Sequence, residues 1–581
     1  MKKGVPVSPG VTVARAFCML EVLVKREPYL LEPDSIAAEI SRLDQACTQA
    51  MHELDKIVER VSTQVGEDEA AIFRAHRLLL RDPSLINKVK NIIRTHKRDA
   101  ASALRETLDE YGTLLSKIPD EYLRDRMADI RDVVSRIATH LSVVEADYPF
   151  DPSEPIILVA AEILPSQATA FDRYKVAGIV TEAGSTTGHA AIMARALGIP
   201  AVTGVRGVLR EVHTGDMLVL DGREGVIIAN PGPEVEAAYR KLQREYFDLR
   251  DRLIENQFEE PITLDGVQIE LLANINGPGD AVVAGYVGAS GIGLYRTEYL
   301  FLTHPTVPDE EEQLAVYAKV ILASPNNRVV IRMLDLGGDK QVPYLGHQRE
   351  ANPFMGWRSI RLSSAHPGFF QTQLRAILRA GLHGQVSLLF PMISTVEEIR
   401  RLRRMVERVA VSLQSEGQPF SADIPIGVMI EVPAAALCID AILEEVDFVS
   451  IGTNDLTQYV MAADRDNPKV AYLCEPFNPA VWRLLKLVID ACIGRQIPVT
   501  VCGEMAGRPR CLLPLLGLGL RSFSMSPALV PPLKELIRRT TMPDAEEVVS
   551  KILAMKTIGE IRGYLSRKVR RIWPNVNWLD A

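Results

Sequence analysis

The second half of the chain carries the strongest constraint on its fold. From about residue 261, short apolar runs recur at 269–275, 291–297, 329–335, 387–392, 425–431, 448–454, 498–503 and 522–526, with helical patterns between them. Strand-length runs alternating with helix-length segments are the mark of βα units on a parallel sheet. Eight such units over roughly 300 residues fit a closed (β/α)₈ barrel. A doubly wound open sheet is the structural alternative, but nothing like a Gly-x-Gly-x-x-Gly turn opens the first unit.

The first 260 residues have another texture. Residues 4 to about 20 read as a short β segment interrupted by Pro and Gly. Pro33-Asp34-Ser35 then starts a helix in which Ile36, Ile40, Leu43, Cys47, Ala50, Leu54, Ile57 and Val61 follow spacings of four and three. That stripe needs other helices to pack on. Asp82-Pro83 reads as an N-cap followed by a first-turn proline, and helical patterns continue to about residue 143. From Pro155 short β runs return at 156–160, 177–180, 201–202 and 217–220, between short helices and Gly-rich turns. The reading is a small α/β domain with an all-helical insert. Residues 234–256 read as a charged connecting helix.

Composition narrows the function. The chain has 581 residues, 47% hydrophobic and 24% charged, with a net charge of −8. Those fractions are ordinary for a globular protein of about four domains, or fewer with a barrel. The negative balance argues against a nucleic-acid or membrane-surface partner. A small anionic ligand needs a local basic pocket. The seven cysteines are scattered, with no Cys-x-x-Cys pair and no Cys/His metal spacing. Reduced thiols and a cytoplasmic location are the expectation. The Met-Lys-Lys start lacks the apolar core of a signal peptide, and no apolar run is long enough to span a bilayer.

In a barrel of this kind the active site lies at the carboxyl ends of the strands. Those ends carry Arg296, Arg332 with Asp335 close behind, Glu431, Asn454-Asp455 with Arg465 one short helix on, and Cys502. Each residue has an ordinary use: an arginine pairs a carboxylate, an acid caps a helix, a cysteine fills a core. Their convergence is what points to chemistry. Arg296, Arg332 and Arg465 suit a highly anionic substrate, because guanidinium forks match phosphate and carboxylate oxygens. Glu431 and Asp455 are hard oxygen ligands suited to Mg²⁺. Asn454 can donate to a phosphate. Elsewhere, His189 follows a β run and a loop of small residues and opens a short helix closed by Gly198 and Pro200. Imidazole at a helix N-terminus either caps it or carries a phosphoryl group.

Several longer stretches accompany these residues. They are Asp447-Phe448-Val449-Ser450-Ile451-Gly452-Thr453-Asn454-Asp455-Leu456-Thr457-Gln458-Tyr459, Asn352-Pro353-Phe354-Met355-Gly356-Trp357-Arg358, Phe390-Pro391-Met392 and Cys502-Gly503-Glu504-Met505-Ala506-Gly507. Together they resemble enzyme I of the bacterial phosphoenolpyruvate-dependent sugar phosphotransferase system, over nearly the whole chain. The resemblance implies a multidomain α/β protein. Residues 1–22 plus 146–232 would form a swivelling phosphohistidine α/β domain, and 23–145 an inserted all-helical subdomain that docks the carrier HPr. Residues 233–260 would be a linker helix, and 261–575 a C-terminal (β/α)₈ TIM barrel binding phosphoenolpyruvate. It implies a transfer from phosphoenolpyruvate to His189 and then to a histidine of HPr, with Mg²⁺ as cofactor and a homodimer formed through the barrel. Arg296, Arg332, Asn454, Asp455 and Arg465 would hold phosphoenolpyruvate. Glu431 and Asp455 would bind Mg²⁺, and Cys502 would protonate the methylene carbon of enolpyruvate.

The histidine loop departs from the family pattern. Gly188 stands where Ser is usual, Ala190-Ala191 replace hydroxyl residues, and Ala168 replaces a Thr. The insert departs too: Arg74, Arg77 and Arg81 fall on the stretch that would meet HPr. Two alternatives therefore stand beside the sugar-system reading. One is a regulatory relay feeding a non-standard carrier. The other is a phosphoenolpyruvate-sensing scaffold that does not transfer.

Overall fold

The computed structural model describes residues 1–8, 10–19, 30–64, 67–115, 121–141, 154–163, 176–183, 194, 199–304, 306–337, 350, 352–364, 366–465, 467 and 469–574. The chain divides into two compact units, Met1–Leu249 and Arg250–Asp580. His189, with Ala168, Gly188, Ala190 and Ala191, lies outside the described residues.

The first unit is built on eight strands: β1 (Lys2–Lys3), β2 (Val5–Ser8), β3 (Val11–Met19), β4 (Ile156–Ala160), β5 (Val176–Thr181), β6 (Ala201–Thr203), β7 (Met217–Asp221) and β8 (Val226–Ala229). They form one sheet in the order β1-β8-β7-β3-β4-β5-β6-β2. β3 pairs in parallel with β4, from Arg15 opposite Ile156 to Met19 opposite Ala160. The N-terminal segment therefore belongs to the sheet that resumes after residue 155. Alternation along β4 explains the two-sided core. Ile157 and Val159 pack with Ala16, Val180 and Leu218, whereas Leu158 and Ala160 pack with Ile179, Ala194 and Ile199.

Among the described residues between β3 and β4 are five α-helices: Ile36–Gln64, Glu67–Arg81, Pro83–His96, Ala100–Leu115 and Glu121–Leu141. The apolar stripe of the first does what its spacing predicts. Leu43, Ala50 and Leu54 are buried, and Ile36, Ile40, Cys47 and Ile57 pack against the same cluster. Each fully buried leucine contributes about 1.5–3 kcal/mol. Asp82 caps the third helix, its carboxylate accepting the Ser84 N–H at 2.8 Å.

The second unit is the barrel. Its strands are β9 (Glu270–Ile275), β10 (Ile292–Arg296), β11 (Arg328–Arg332), β12 (Gln385–Phe390), β13 (Ile426–Ile430), β14 (Phe448–Ile451), β15 (Val499–Val501) and β16 (Ser522–Met525). All pair in parallel, and β16 closes on β9 with Phe523 opposite Leu271. The open-sheet alternative is thereby excluded. Helices between the strands start where the sequence supplies caps. Asp309 with Glu312 and Thr395 with Glu398 each form a reciprocal capping box. Outward-facing Val329, Ile331, Val449 and Ile451 are fully buried under that helical layer.

Candidate active site

The strands deliver their charged residues at their carboxyl ends. β10 ends on Arg296 and β11 on Arg332, while Glu431 directly follows β13 and Cys502 directly follows β15. β14 stops earlier than its sequence pattern, at Ile451 rather than 454. The chain turns at Gly452 into helix Thr453–Met461. Asn454 and Asp455 thus occupy the first turn of a helix, where backbone N–H groups lack intrahelical partners. The turn packs tightly on the end of β15. A Cβ on Gly503 would lie 2.6 Å from the Thr453 nitrogen, so that position excludes any larger residue.

Arg332 is buried, and its Nη2 donates to Glu298 Oε1 at 2.8 Å, with Nη1 3.5 Å from Asp335 Oδ2. Glu298 Oε1 also accepts the Asp335 N–H at 3.0 Å. Burial works against the charge of Arg332, but Glu298 and Asp335 outweigh it and hold the pKa above its usual value. Arg296 is in the opposite position. Burial, and then the like charge of Arg332, hold its pKa below the ordinary range. Among the described residues no hydrogen bond or ion pair reaches Arg296. Arg332 Nε and Arg465 Nη1 are likewise buried without a hydrogen-bond partner, although Arg465 Nη1 lies 3.8 Å from Asp455 Oδ1. Buried donors are normally satisfied. Three guanidinium groups with uncommitted N–H groups at one mouth therefore fit an anion with many oxygens.

The carboxylates form the complementary half. Glu431 is 1% exposed, and its Oε1 accepts the Met392 N–H at 2.7 Å. Burial first, then the charges of Asp455 and Asp335, push its pKa up to about 8. Asp455 is held by Arg358, whose Nη1 and Nη2 reach its two oxygens at 3.2 and 3.4 Å. The other edge of Arg358 donates to both oxygens of Asp335 at 2.8 Å each. Glu431 and Asp455 thus repel one another across a buried space, a donor set that suits a hard dication. Among the described residues no group of three His, Cys, Asp or Glu side chains forms a metal cage. Two carboxylates completed by water and substrate oxygens is the usual arrangement for Mg²⁺.

Two further residues complete the mouth. Asn454 Oδ1 accepts the Glu504 N–H at 2.8 Å, which leaves its Nδ2 to donate elsewhere. Cys502 is 2% exposed, and its thiol lies 3.5 Å from the Ile451 carbonyl. Burial pushes the thiol up to about 11, so it stays protonated near neutrality and can serve as an acid.

Arg296, Arg332, Glu431, Asn454, Asp455, Arg465 and Cys502 therefore all lie at one end of the barrel. His189 lies outside the described residues. Inspection of strand ends misses Arg358, which sits in a loop just before the short helical turn Ser359–Ser364. Its only signal is its place at the end of the Asn352–Arg358 stretch. Asp335 is visible just behind its strand end, but its pairing with Arg332 and Arg358, and the part Glu298 plays beside it, are not.

Comparison with known proteins follows the same division. Residues 252–542 match the family described as PEP-utilising enzyme, PEP-binding domain; residues 3–126 match PEP-utilising enzyme, N-terminal; residues 152–225 match PEP-utilising enzyme, mobile domain. The chain is similar to the phosphoenolpyruvate-protein phosphotransferase of Geobacillus stearothermophilus, with 40% identity over 97% of both chains. It is 40% identical to that of Bacillus subtilis strain 168, over 97% of this chain and 98% of the relative. For Staphylococcus carnosus the identity is 39%, over 96% and 97%.

Proposed function

Because the chain belongs to the phosphoenolpyruvate-protein phosphotransferase family, we propose that it moves the phosphoryl group of phosphoenolpyruvate to His189 and then to a histidine of an HPr-type carrier. The observation that carries this reading is the set of buried, uncommitted guanidinium donors beside Glu431 and Asp455 at the carboxyl mouth of the barrel.

Phosphoryl transfer needs positioning and charge neutralisation more than covalent help from the protein. Arg296, Arg332 and Arg465 bind the phosphate and carboxylate oxygens, with Asn454 Nδ2 as a neutral donor. Arg358 orients Asp455 and Asp335 as one rigid unit. Glu431 and Asp455 would hold Mg²⁺, which when bound would supply charge neutralisation for the phosphate and the enolate. The lone pair of neutral His189 imidazole attacks phosphorus as the bond to the enol oxygen breaks. The methylene carbon of the enolate takes the Cys502 proton, and pyruvate leaves.

The division of labour follows. Residues 1–22 plus 146–232 carry His189, 23–145 dock the carrier, 233–260 link, and 261–575 bind phosphoenolpyruvate. A cytoplasmic homodimer formed through the barrel is the working form. Among the described residues no helix is long and apolar enough to cross a membrane.

The test is incubation with phosphoenolpyruvate and Mg²⁺, followed by mass spectrometry for acid-labile phosphate on His189. Label that passes on to HPr supports the reading. Label that stays on His189 points to a different carrier. Absence of label leaves a scaffold.

A further inference from the structure

Barrels of this class normally fill their lumen with layers of bulky apolar side chains. At the end opposite the active site an open cavity of about 1440 Å³ is walled both by the loops before the strands and by the lumen below its apolar layer. Its rim is made by the first residues of the strands, among them Glu270, Arg328 and Ser522, and its wall includes Thr500 and Ser450.

The lumen is two-sided. Leu294, Leu389 and Met429 form an apolar arc that packs against Cys502, joined by Val330 and by Phe448, which lies two residues before Ser450 on β14. The other arc is polar and continuous across four strands. Ser450 is in register with Thr500, Thr500 with Ser522, and Ser522 with Glu270. Register partners share a face of the sheet. The Thr500 hydroxyl donates to Ser522 Oγ at 3.0 Å, and the Ser522 hydroxyl to Glu270 Oε2 at 2.7 Å.

The stripe leads to the acid. Cys502 stands two residues beyond Thr500 on the same face, which makes it a diagonal neighbour of Ser450. The Ser450 hydroxyl is buried in this position without a hydrogen-bond partner among the described residues. Exposure falls along the path: the Glu270 side chain is 32% exposed, Thr500 and Ser522 are half-buried, and Ser450 and Cys502 are each 2% exposed. A space of this size, with hydroxyls along one wall, has room for ordered water beside that wall.

We propose that the stripe Glu270–Ser522–Thr500–Ser450, with water bridging its hydroxyls, is a proton route that resupplies Cys502 from solvent at the amino-terminal mouth of the barrel. The proposal rests on the reading of Cys502 as the acid for enolpyruvate. A C–H bond forms at the methylene carbon as the S–H bond breaks. The thiolate then takes a proton from the Ser450 hydroxyl, which takes one from the next water or hydroxyl in line. The net uptake is one solvent proton, and nothing is oxidised or reduced. The route enters from the mouth that does not hold substrate, so reprotonation does not wait for the substrate mouth to clear.

The experiment measures two rates in the full-length protein with Mg²⁺. One is phosphate appearing on His189 from phosphoenolpyruvate in a single turnover. The other is deuterium entering the methyl group of pyruvate in D₂O, with phosphorylated enzyme. Ser450→Ala and the isosteric Thr500→Val are expected to lower deuterium entry, relative to phosphorylation, by about tenfold or more. Ser450→Thr keeps a hydroxyl and restores the ratio. Ser387→Ala removes a lumen hydroxyl from β12, off the stripe, and leaves the ratio at the wild-type value. The wild-type rate should curve in H₂O/D₂O mixtures, as several moving protons require, and become linear in Thr500→Val. Wild-type ratios in both Ser450→Ala and Thr500→Val, with deuterium entry lost in Cys502→Ala, would overturn the route and leave the acid standing. Normal entry in Cys502→Ala would overturn the acid and the route with it.

Discussion

The two mouths of the barrel are made by opposite ends of the same eight strands, yet they are built from different chemistry. At the carboxyl mouth, Arg332, Arg358, Glu298, Asp335, Glu431 and Asp455 are buried and interlocked. At the amino mouth the lumen is open, with Ser450, Thr500 and Ser522 on one side and Leu272, Val330 and Phe448 beside them, and its ion pairs, such as Glu270 with Arg328, are partly exposed at the rim. Interlocked buried charges cost desolvation and gain little stability over apolar packing. Their concentration at one mouth fits the proposed site, where they would fix the donors for an anion and a cation before either arrives.

The largest expected effect is on transfer. Arg332→Ala and Glu431→Ala should abolish labelling of His189, a loss of roughly a thousandfold or more in rate. Arg332→Lys keeps the charge but not the fork, and should recover only a small part. Normal labelling in either alanine variant would put the site at the wrong mouth.

Next comes stability. Arg358→Ala strands Asp335 and Asp455 as buried, poorly compensated carboxylates. A loss of about 3–5 kcal/mol is expected in urea unfolding. A loss under about 1 kcal/mol would mean that the mouth is hydrated and looser than its hydrogen bonds imply.

Much of this comparison was legible in the sequence, and the limits have physical causes. The eight strand positions were readable because apolar runs alternate with helix-length segments. The positions of Arg296, Arg332 and Glu431 were readable because charge at a strand end is conspicuous, and those of Asp455 and Arg465 because they follow closely on one. The start of helix Thr453–Met461 was not, since Phe448 to Ile451 and Gly452 to Asn454 read as one β run. Arg358 was not, because its partners Asp335 and Asp455 are 23 and 97 residues away, one in a loop and one in a helix. The polar lumen was hidden for a different reason. Serine and threonine inside a strand look alike whether they face helices or the barrel axis, and only closure of the sheet decides which.

Smaller effects sharpen the contrast. Asn454→Ala removes the acceptor for the Glu504 N–H and one neutral donor. It should cost about 1–3 kcal/mol, or roughly five- to a hundred-and-fifty-fold in kcat/KM for phosphoenolpyruvate. Lys486→Ala removes an exposed pairing with Asp490 on the outer helix Pro479–Gly494. It should change stability by less than about 0.5 kcal/mol and labelling not at all. A large effect there would mean that charge matters everywhere on this barrel rather than at its carboxyl mouth.

The central claim is that the donor site belongs to the barrel and the acceptor to His189. Calorimetric titration of His189→Ala with phosphoenolpyruvate and Mg²⁺ tests it most directly, followed by acid-labile phosphate analysis of the same sample. The account predicts wild-type affinity for phosphoenolpyruvate and no protein-bound phosphate. Loss of binding, or acid-labile phosphate on another residue, would contradict it.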